Sequence, residues 1–405
     1  MPSLGARWLF DGRGQLLPDA LLAWQQERIV AVRPRQRHLA QRDLGDAILL
    51  PGLVNAHTHL DLSDMAYEDF HGEATAWLNR VIAHRRLATP ESRLAAVQLG
   101  ISESLQHGVT LVGDITASSS TLQAFAHSPL RATLFCEILG LSRERARQSW
   151  QSARNILANL LPASRYRLGL SPHAPYSTRK GLFRLAARQN LPLTVHLAEF
   201  PEELPLLQSR RGHFRSWLES LGVWDETGLI ASYEDLLAAL AVAPKVIFIH
   251  LNYPTTGLLD KLQDWARNSK VGVVFCPRTH AYFGHAPHPW LDLLRRGIPV
   301  AIGTDSRASS PDLSLLAELR FLWHHSPPLP AWRLWRLATH DAALLVGWPE
   351  TGSLAPGQLA DFIAIPMPSA TGKDPLQTLL ETDTAPSLVC VGGRLVFDAN
   401  QRESG

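Results

Sequence analysis

Residues 53–60 read LVNAHTHL, and the rest of the chain can be placed by working outward from them. A strand's period of two puts His57 and His59 on one side of the backbone. Two imidazoles at a strand's end can share one metal ion; the competing reading is one packing histidine and one surface histidine. What tips the balance is recurrence, because His173, His196 with Glu199, His250 and Asp305 stand at the ends of later apolar runs.

Those runs fall at 53–58, 109–115, 131–138, 166–171, 192–197, 246–250, 272–276 and 299–304. Helical stretches separate most of them. Thr89 can cap a helix with Pro90 in its first turn, running to His107-Gly108, and further helices are expected at 142–161, 178–189, 202–221, 256–269, 312–324 and 331–346. The arginines of 142–161 read as a solvated outer face rather than a nucleic-acid patch. Eight strands alternating with helices predict an α/β fold of the (β/α)8 TIM-barrel type. An open doubly wound sheet competes, but PGLVNAHTH carries no GxGxxG phosphate loop. Barrel enzymes build their sites at the C-terminal strand ends, where the singled-out residues lie.

Both ends of the chain have a different texture. ARWLF, QLLPDALLAW and RIVAVRP near the start, and TGSLAPGQLADFIAI and SLVCVGGRLVFD near the finish, read as short strands between turns. The expected organisation is therefore a composite β-sandwich domain from 1–50 plus 351–405, with a metal-dependent catalytic barrel over 51–350 inserted between its halves. At 405 residues the chain is long enough for one large and one small domain.

Composition narrows the class. With 39 basic and 37 acidic residues the formal charge is +2, too balanced for a nucleic-acid or anionic-membrane binder. The three scattered cysteines form neither a disulfide framework nor a CxxC knuckle. No signal-peptide pattern opens the sequence and no run reaches the roughly 18 apolar residues of a membrane span. A cytoplasmic protein is expected, with a homodimer as the general expectation for a soluble enzyme.

Imidazoles with a carboxylate suit one divalent ion, zinc foremost, with iron(II) and manganese open on the same donors. Such an ion lowers the pKa of water and supports hydrolysis. Glu199, in HLAE, is placed to shuttle the proton; the alternative is a carboxylate that merely faces a helix dipole. His250 can hydrogen-bond a developing oxyanion or a leaving nitrogen. HLAE is not HExxH, and no serine sits in GxSxG, so peptidase and serine-hydrolase readings lack their motifs.

The ordered series PGLVNAHTHLDLS, SPHAPYS, HLAE, FIHLN and GTDSRASS, closed by GSLAPGQLADF, resembles the amidohydrolase superfamily. Within it the chain is most similar to the branch of nucleoside and nucleobase deaminases and triazine chlorohydrolases. The resemblance implies that His57, His59, His196 and Asp305 hold one catalytic metal. It also implies that Glu199 relays protons, that Asp305 shares in accepting the water's proton, that His250 orients substrate and water, and that His173 contacts substrate. The implied reaction is attack of water on an amidine-like ring carbon and loss of ammonia.

Two stretches depart from the pattern. GEATAWL, residues 72–78, lacks the acidic pair common in methylthioadenosine and S-adenosylhomocysteine deaminases, so that either Glu73 takes the ribose hydroxyls or the ribose is held differently. CPRTHAYFGHAPHP, residues 276–289, is dense in Arg278, His280, His285 and His288. It resembles aminodeoxyfutalosine deaminases of a menaquinone route, whose substrate carries a benzoate; Arg278 is then a candidate carboxylate partner, with an ordinary barrel-rim arginine as the equal alternative, and His280 a further candidate substrate contact. A second metal site in this loop is the lesser alternative. The expected function is hydrolytic deamination of an adenosine-like nucleoside, aminodeoxyfutalosine foremost. Alternatives are methylthioadenosine or S-adenosylhomocysteine deamination, guanine or pterin deamination, triazine dechlorination, or a non-catalytic structural role on the same fold. The expected partner is thus a small nucleoside or heterocyclic amine.

Overall fold

The computed structural model describes residues 1–405 apart from 36–39, 71, 159–164, 369–373 and 400–405. Eight strands, Leu53–Thr58, Val109–Thr116, Arg131–Ile138, Tyr166–Pro172, Leu193–Leu197, Val246–His250, Val271–Phe275 and Val300–Ile302, lie side by side in sequence order. Every pairing is parallel. Most are buried along their whole length, as strands covered on both faces must be.

The first and last strands meet at their C-terminal ends. The His57 carbonyl accepts from the amides of Thr304 and Asp305, both at 3.2 Å, and Asn55 Nδ2 donates to Thr304 Oγ1 at 2.8 Å. Gly303 permits this approach, because a Cβ there would sit 2.8 Å from the His57 carbonyl oxygen. The seam therefore brings His57 and Asp305 together through backbone contacts.

Strands from both chain ends form one eight-stranded sheet. Ser3–Phe10 pairs antiparallel with Leu16–Gln25, but parallel with Ala47–Pro51, which pairs antiparallel with Phe362–Pro366. Trp24 and Phe362 lie on strands with two others between them, yet their rings meet at 5.0 Å. The sheet thus folds over itself around a core that includes Leu22, Trp24, Leu49 and Phe362, the sandwich-like arrangement expected. Buried Arg131, on a barrel strand, bonds buried Asp361 at 2.7 Å and ties the two parts together.

Thr89 makes the expected cap, a reciprocal box with Ser92 at the start of the helix Pro90–Gln106. Two long helices expected from periodicity are each divided. Arg210 and Gly212 have φ of +57° and +98°, breaking 202–221 into Glu203–Ser209 and His213–Ser220. Thr339 leaves the helical region and divides 331–346 into Ala331–Leu337 and His340–Leu345. The helix Ala74–Leu87 was not expected, because its three arginines and one histidine break up the pattern of its narrow buried face. The helix of the arginine-rich stretch is Arg143–Ala158, with only Ala146, Ala153 and Ile156 buried; residues 159–161 lie outside the described residues.

Asp114, on the second barrel strand, accepts the Leu60 amide and the Thr116 hydroxyl, each at 3.0 Å, and so supports the turn after His59. Burial raises its carboxyl to about 7. A carboxyl raised in this way binds more protons folded than unfolded, so stability should fall as pH rises from about 4 to about 7 and then level off. Asp114→Asn should flatten that slope. Urea unfolding midpoints at about pH 4.5, 6 and 8 would check it, and an unchanged slope would assign the dependence to other groups.

Candidate active site

The strand ends converge on one buried cluster. His57, His59, His196, His250 and Asp305 are each less than a tenth exposed. His57 Nε2 and His59 Nε2 lie 3.4 and 3.6 Å from Asp305 Oδ1, and the Nε2 atoms of His59 and His196 are 3.3 Å apart. Donors bound tetrahedrally at about 2.1 Å would be about 3.4 Å apart, so these separations suit a shared ion. Both ring nitrogens of fully buried His57 lack a hydrogen-bond partner. That would be costly for a packing histidine and is natural for a ligand. His196 Nδ1 faces the His173 carbonyl at 3.2 Å, which leaves Nε2 free for an ion.

The protonation states fit this use. Burial, chiefly, holds His59 and His196 well below the ordinary imidazole value and lowers His250 to about 3. Neutral imidazoles are what ligation requires. Burial by itself would raise the Asp305 carboxyl, but contact with His57 and the nearby His59 and His250 outweigh it and keep Asp305 ionised. Burial pushes Glu199 the other way, well above the usual carboxylate range, with the charges of Asp305 and Glu203 adding to it. Its Oε1 lies 3.5 Å from His250 Nε2.

Three non-glycine residues at these strand ends are left-handed: Ala198 at φ +50°, His250 at +69° and Asp305 at +58°. Leu251 follows at +55°. Such conformations persist only where surrounding bonds enforce them, and they cluster at functional sites. Here they turn the chain sharply where strands 5, 6 and 8 end.

A cavity of about 50 Å³ opens on the cluster, with His59, His173, His196, Glu199, His250 and Asp305 in its wall. His173 pairs with Ser177 Oγ at 2.6 Å through Nδ1. Trp77, Val81 and Arg85 also reach this wall. Sequence reasoning missed them, although their spacing of four on Ala74–Leu87 is the signature of one helix face. Arg85 is held by Asp61 at 3.0 Å and Glu137 at 3.3 Å.

Three expected substrate contacts lie elsewhere. Glu73 is exposed and pairs with His213 at 3.0 Å, outside the cavity wall. Arg278 points away: Nε meets Glu318 and Nη2 meets Asp312, both at 2.7 Å. With both ends of its guanidinium occupied by carboxylates, it is not presented as a clamp for a substrate's carboxylate. Glu318 is fully buried, so Arg278→Met would strand its charge. A loss of about 3–5 kcal/mol is expected, measured by urea unfolding; a change under about 1 kcal/mol would contradict it.

His280 is likewise occupied, its Nδ1 donating to Asn252 Oδ1 at 3.0 Å. His285 shares a 3.0 Å hydrogen bond with the Tyr253 hydroxyl, and His288 Nε2 donates to the His250 carbonyl at 2.6 Å. Three histidines therefore staple the 276–289 loop to the turn after His250. Among the described residues, the groups of donors close enough to hold a metal are drawn from His57, His59, His196, His250 and Asp305 alone.

A (β/α)8 barrel with a histidine and aspartate cluster at its C-terminal strand ends defines a metal-dependent hydrolase. The chain belongs to the amidohydrolase family, whose model matches residues 48–396. It is 31% identical over 336 residues to an aminodeoxyfutalosine deaminase of Deinococcus radiodurans, covering 78% of this chain and 77% of the relative. It is 27% identical to a 5-methylthioadenosine/S-adenosylhomocysteine deaminase of Nitratidesulfovibrio vulgaris, covering 90% and 83% respectively. The crystal structure of a Helicobacter pylori aminofutalosine deaminase in complex with methylthio-coformycin has the same fold. Its TM-score is 0.83 at 22% identity, over 98% of this chain and 100% of that one. Among the described residues no helix is long and apolar enough to cross a membrane.

Proposed function

We propose that this amidohydrolase is a hydrolytic deaminase of an adenosine-like nucleoside, with aminodeoxyfutalosine as the foremost substrate. The observation that carries the reaction class is Glu199, a buried carboxyl of raised pKa in the wall of the metal-competent cavity. The substrate choice draws support from the relative at 31% identity.

His57, His59, His196 and Asp305 would hold the ion, zinc foremost. When bound, it would make water a stronger acid and a nucleophile near neutral pH. Glu199 takes a proton as the water oxygen bonds to the amino-bearing ring carbon. It returns that proton to the amino nitrogen as the carbon–nitrogen bond breaks. Water thus supplies the oxygen and the third hydrogen of ammonia, the water's other hydrogen passes to the adjacent ring nitrogen, and ammonia and the oxo ring are the products. His250, 3.5 Å from Glu199 through Nε2, steadies the oxygen between them. His173 contacts the ring from the cavity wall.

Arg85 lines the cavity, but Asp61 and Glu137 occupy its guanidinium and its Nη2 faces His59 Nδ1 at 3.3 Å, so like Arg278 it is spent on protein partners and braces a metal-competent histidine rather than meeting a substrate. Arg85→Met would strand the buried carboxylates of Asp61 and Glu137, and a loss of about 3–5 kcal/mol is expected by urea unfolding. A change under about 1 kcal/mol would contradict it. Phe283, whose ring lies 5.0 Å from Trp77, 5.1 Å from Phe70 and 5.2 Å from Phe200, packs the 276–289 loop behind Trp77, which lines the cavity. A cavity of about 50 Å³ holds water rather than a purine, so in this reading its wall has to yield when substrate enters.

Ammonia release by metal-loaded protein, with the adenine-to-hypoxanthine absorbance change, tests the proposal. The panel comprises aminodeoxyfutalosine, methylthioadenosine, S-adenosylhomocysteine, adenosine, guanine and a pterin. Preference for aminodeoxyfutalosine supports the full reading, and preference for another member replaces the substrate alone. Silence throughout would favour dechlorination or a non-catalytic role.

A further inference from the structure

The Glu199 carboxyl has to be aimed, and its own neighbours along the chain do not favour the required turn. Ala198, immediately before it, is held left-handed at φ +50°, a conformation an alanine adopts only under constraint. The constraint is visible on both sides. From one side, the Asn252 amide donates to the Ala198 carbonyl at 3.0 Å, and Asn252 Nδ2 donates to the Glu199 carbonyl at 2.9 Å. From the other, the Ala198 amide donates to Glu203 Oε1 at 2.7 Å.

Glu203 is fully buried, which is expensive for a carboxyl that merely opens a seven-residue helix. Its Oε1 accepts a second hydrogen bond, from the buried Tyr233 hydroxyl at 2.9 Å. Tyr233 opens a separate helix, Tyr233–Leu240, so the carboxyl is fixed by an element remote in sequence.

We propose that Glu203 is a positioning residue, whose carboxyl, fixed by Tyr233, holds the Ala198 turn that aims Glu199 into the cavity. The inference rests on the deaminase reading only through the task given to Glu199. A slackened turn would misplace the shuttle while leaving the donors of His57, His59, His196 and Asp305 in place. Small displacements of a proton-transfer group cost turnover far more than binding.

Three variants of the full-length, metal-loaded protein test it. Glu203→Leu removes the acceptor and is expected to lower kcat about 10- to 100-fold, with KM within about twofold and metal stoichiometry unchanged. Glu203→Gln retains an oxygen for the Ala198 amide and should restore most of the lost kcat. Tyr233→Phe removes one hydroxyl and should lower kcat severalfold with the same KM; it decides the matter if the leucine variant does not fold.

Hydrogen exchange over residues 196–204 gives a readout independent of turnover, expected to quicken at least about tenfold in the leucine variant and not in the glutamine variant. Unchanged kcat in Tyr233→Phe together with either an unchanged or an unfolded Glu203→Leu would overturn the proposal. So would parallel loss of kcat, KM and metal, or unchanged exchange in a folded leucine variant. A wild type silent toward the whole panel would instead sink the deaminase reading, and the exchange measurement would still decide whether Glu203 holds the turn.

Discussion

Glu199→Gln is expected to retain its full complement of metal and lose about 10²- to 10⁴-fold in turnover, the usual worth of a general acid–base. Glutamine keeps the size and one acceptor oxygen but neither takes nor returns a proton. Glu199 donates no atom to the closely spaced donor set around Asp305, so metal content should be indifferent to the change. The two measurements together are diagnostic. A fall in kcat with metal at wild-type stoichiometry assigns the shuttle to Glu199. Full activity would place proton transfer elsewhere, and loss of metal would make Glu199 part of the ion's support.

His57→Ala is expected to abolish stoichiometric metal and to reduce turnover to background, at least about 10⁴-fold. The reason is geometric. His57 belongs to both groups of donors close enough to share an ion, one with His196 and His250 and one with His59 and Asp305. Its two ring nitrogens lack any other partner, so ligation is the use its burial leaves open. Elemental analysis and ammonia release would be read side by side. The same protein should gain thermal stability less readily than wild type on addition of zinc, since an ion that binds the folded state stabilises it by mass action. Wild-type metal content in this variant would remove His57 from the ligand set.

The fold was legible because its signal is local and repeated. Each barrel strand is a short apolar run bounded by turn residues, and the observed strands differ from the expected ones by a few residues at their ends. Helix interruptions were harder, because a single residue at positive φ such as Arg210 leaves the apolar periodicity on either side intact. The convergence of His57, His59, His196, His250 and Asp305 was also legible. Each stands where an apolar run stops, and a closed barrel carries all such positions to one rim.

The second circle of residues was not legible. Arg278 read as free to meet a substrate, yet Glu318, forty positions on, lies buried against it. Arg85 was not singled out at all, yet it rises from a helix face that packs onto the cavity. The histidines of 276–289 had the composition of a metal site, and each instead holds a particular atom of Asn252, Tyr253 or His250.

The sequence by itself determined the alternation of strands and helices, the family, and which residues can carry the chemistry, because periodicity and donor chemistry are properties of neighbouring residues. Only the tertiary structure decided which charged side chains remain available to a ligand and which are spent on one another. That outcome depends on distances between residues far apart in the chain, such as Glu203 against Ala198 and Tyr233. A buried carboxyl or guanidinium takes whatever partner the packing places within about 3 Å, and composition does not encode that choice.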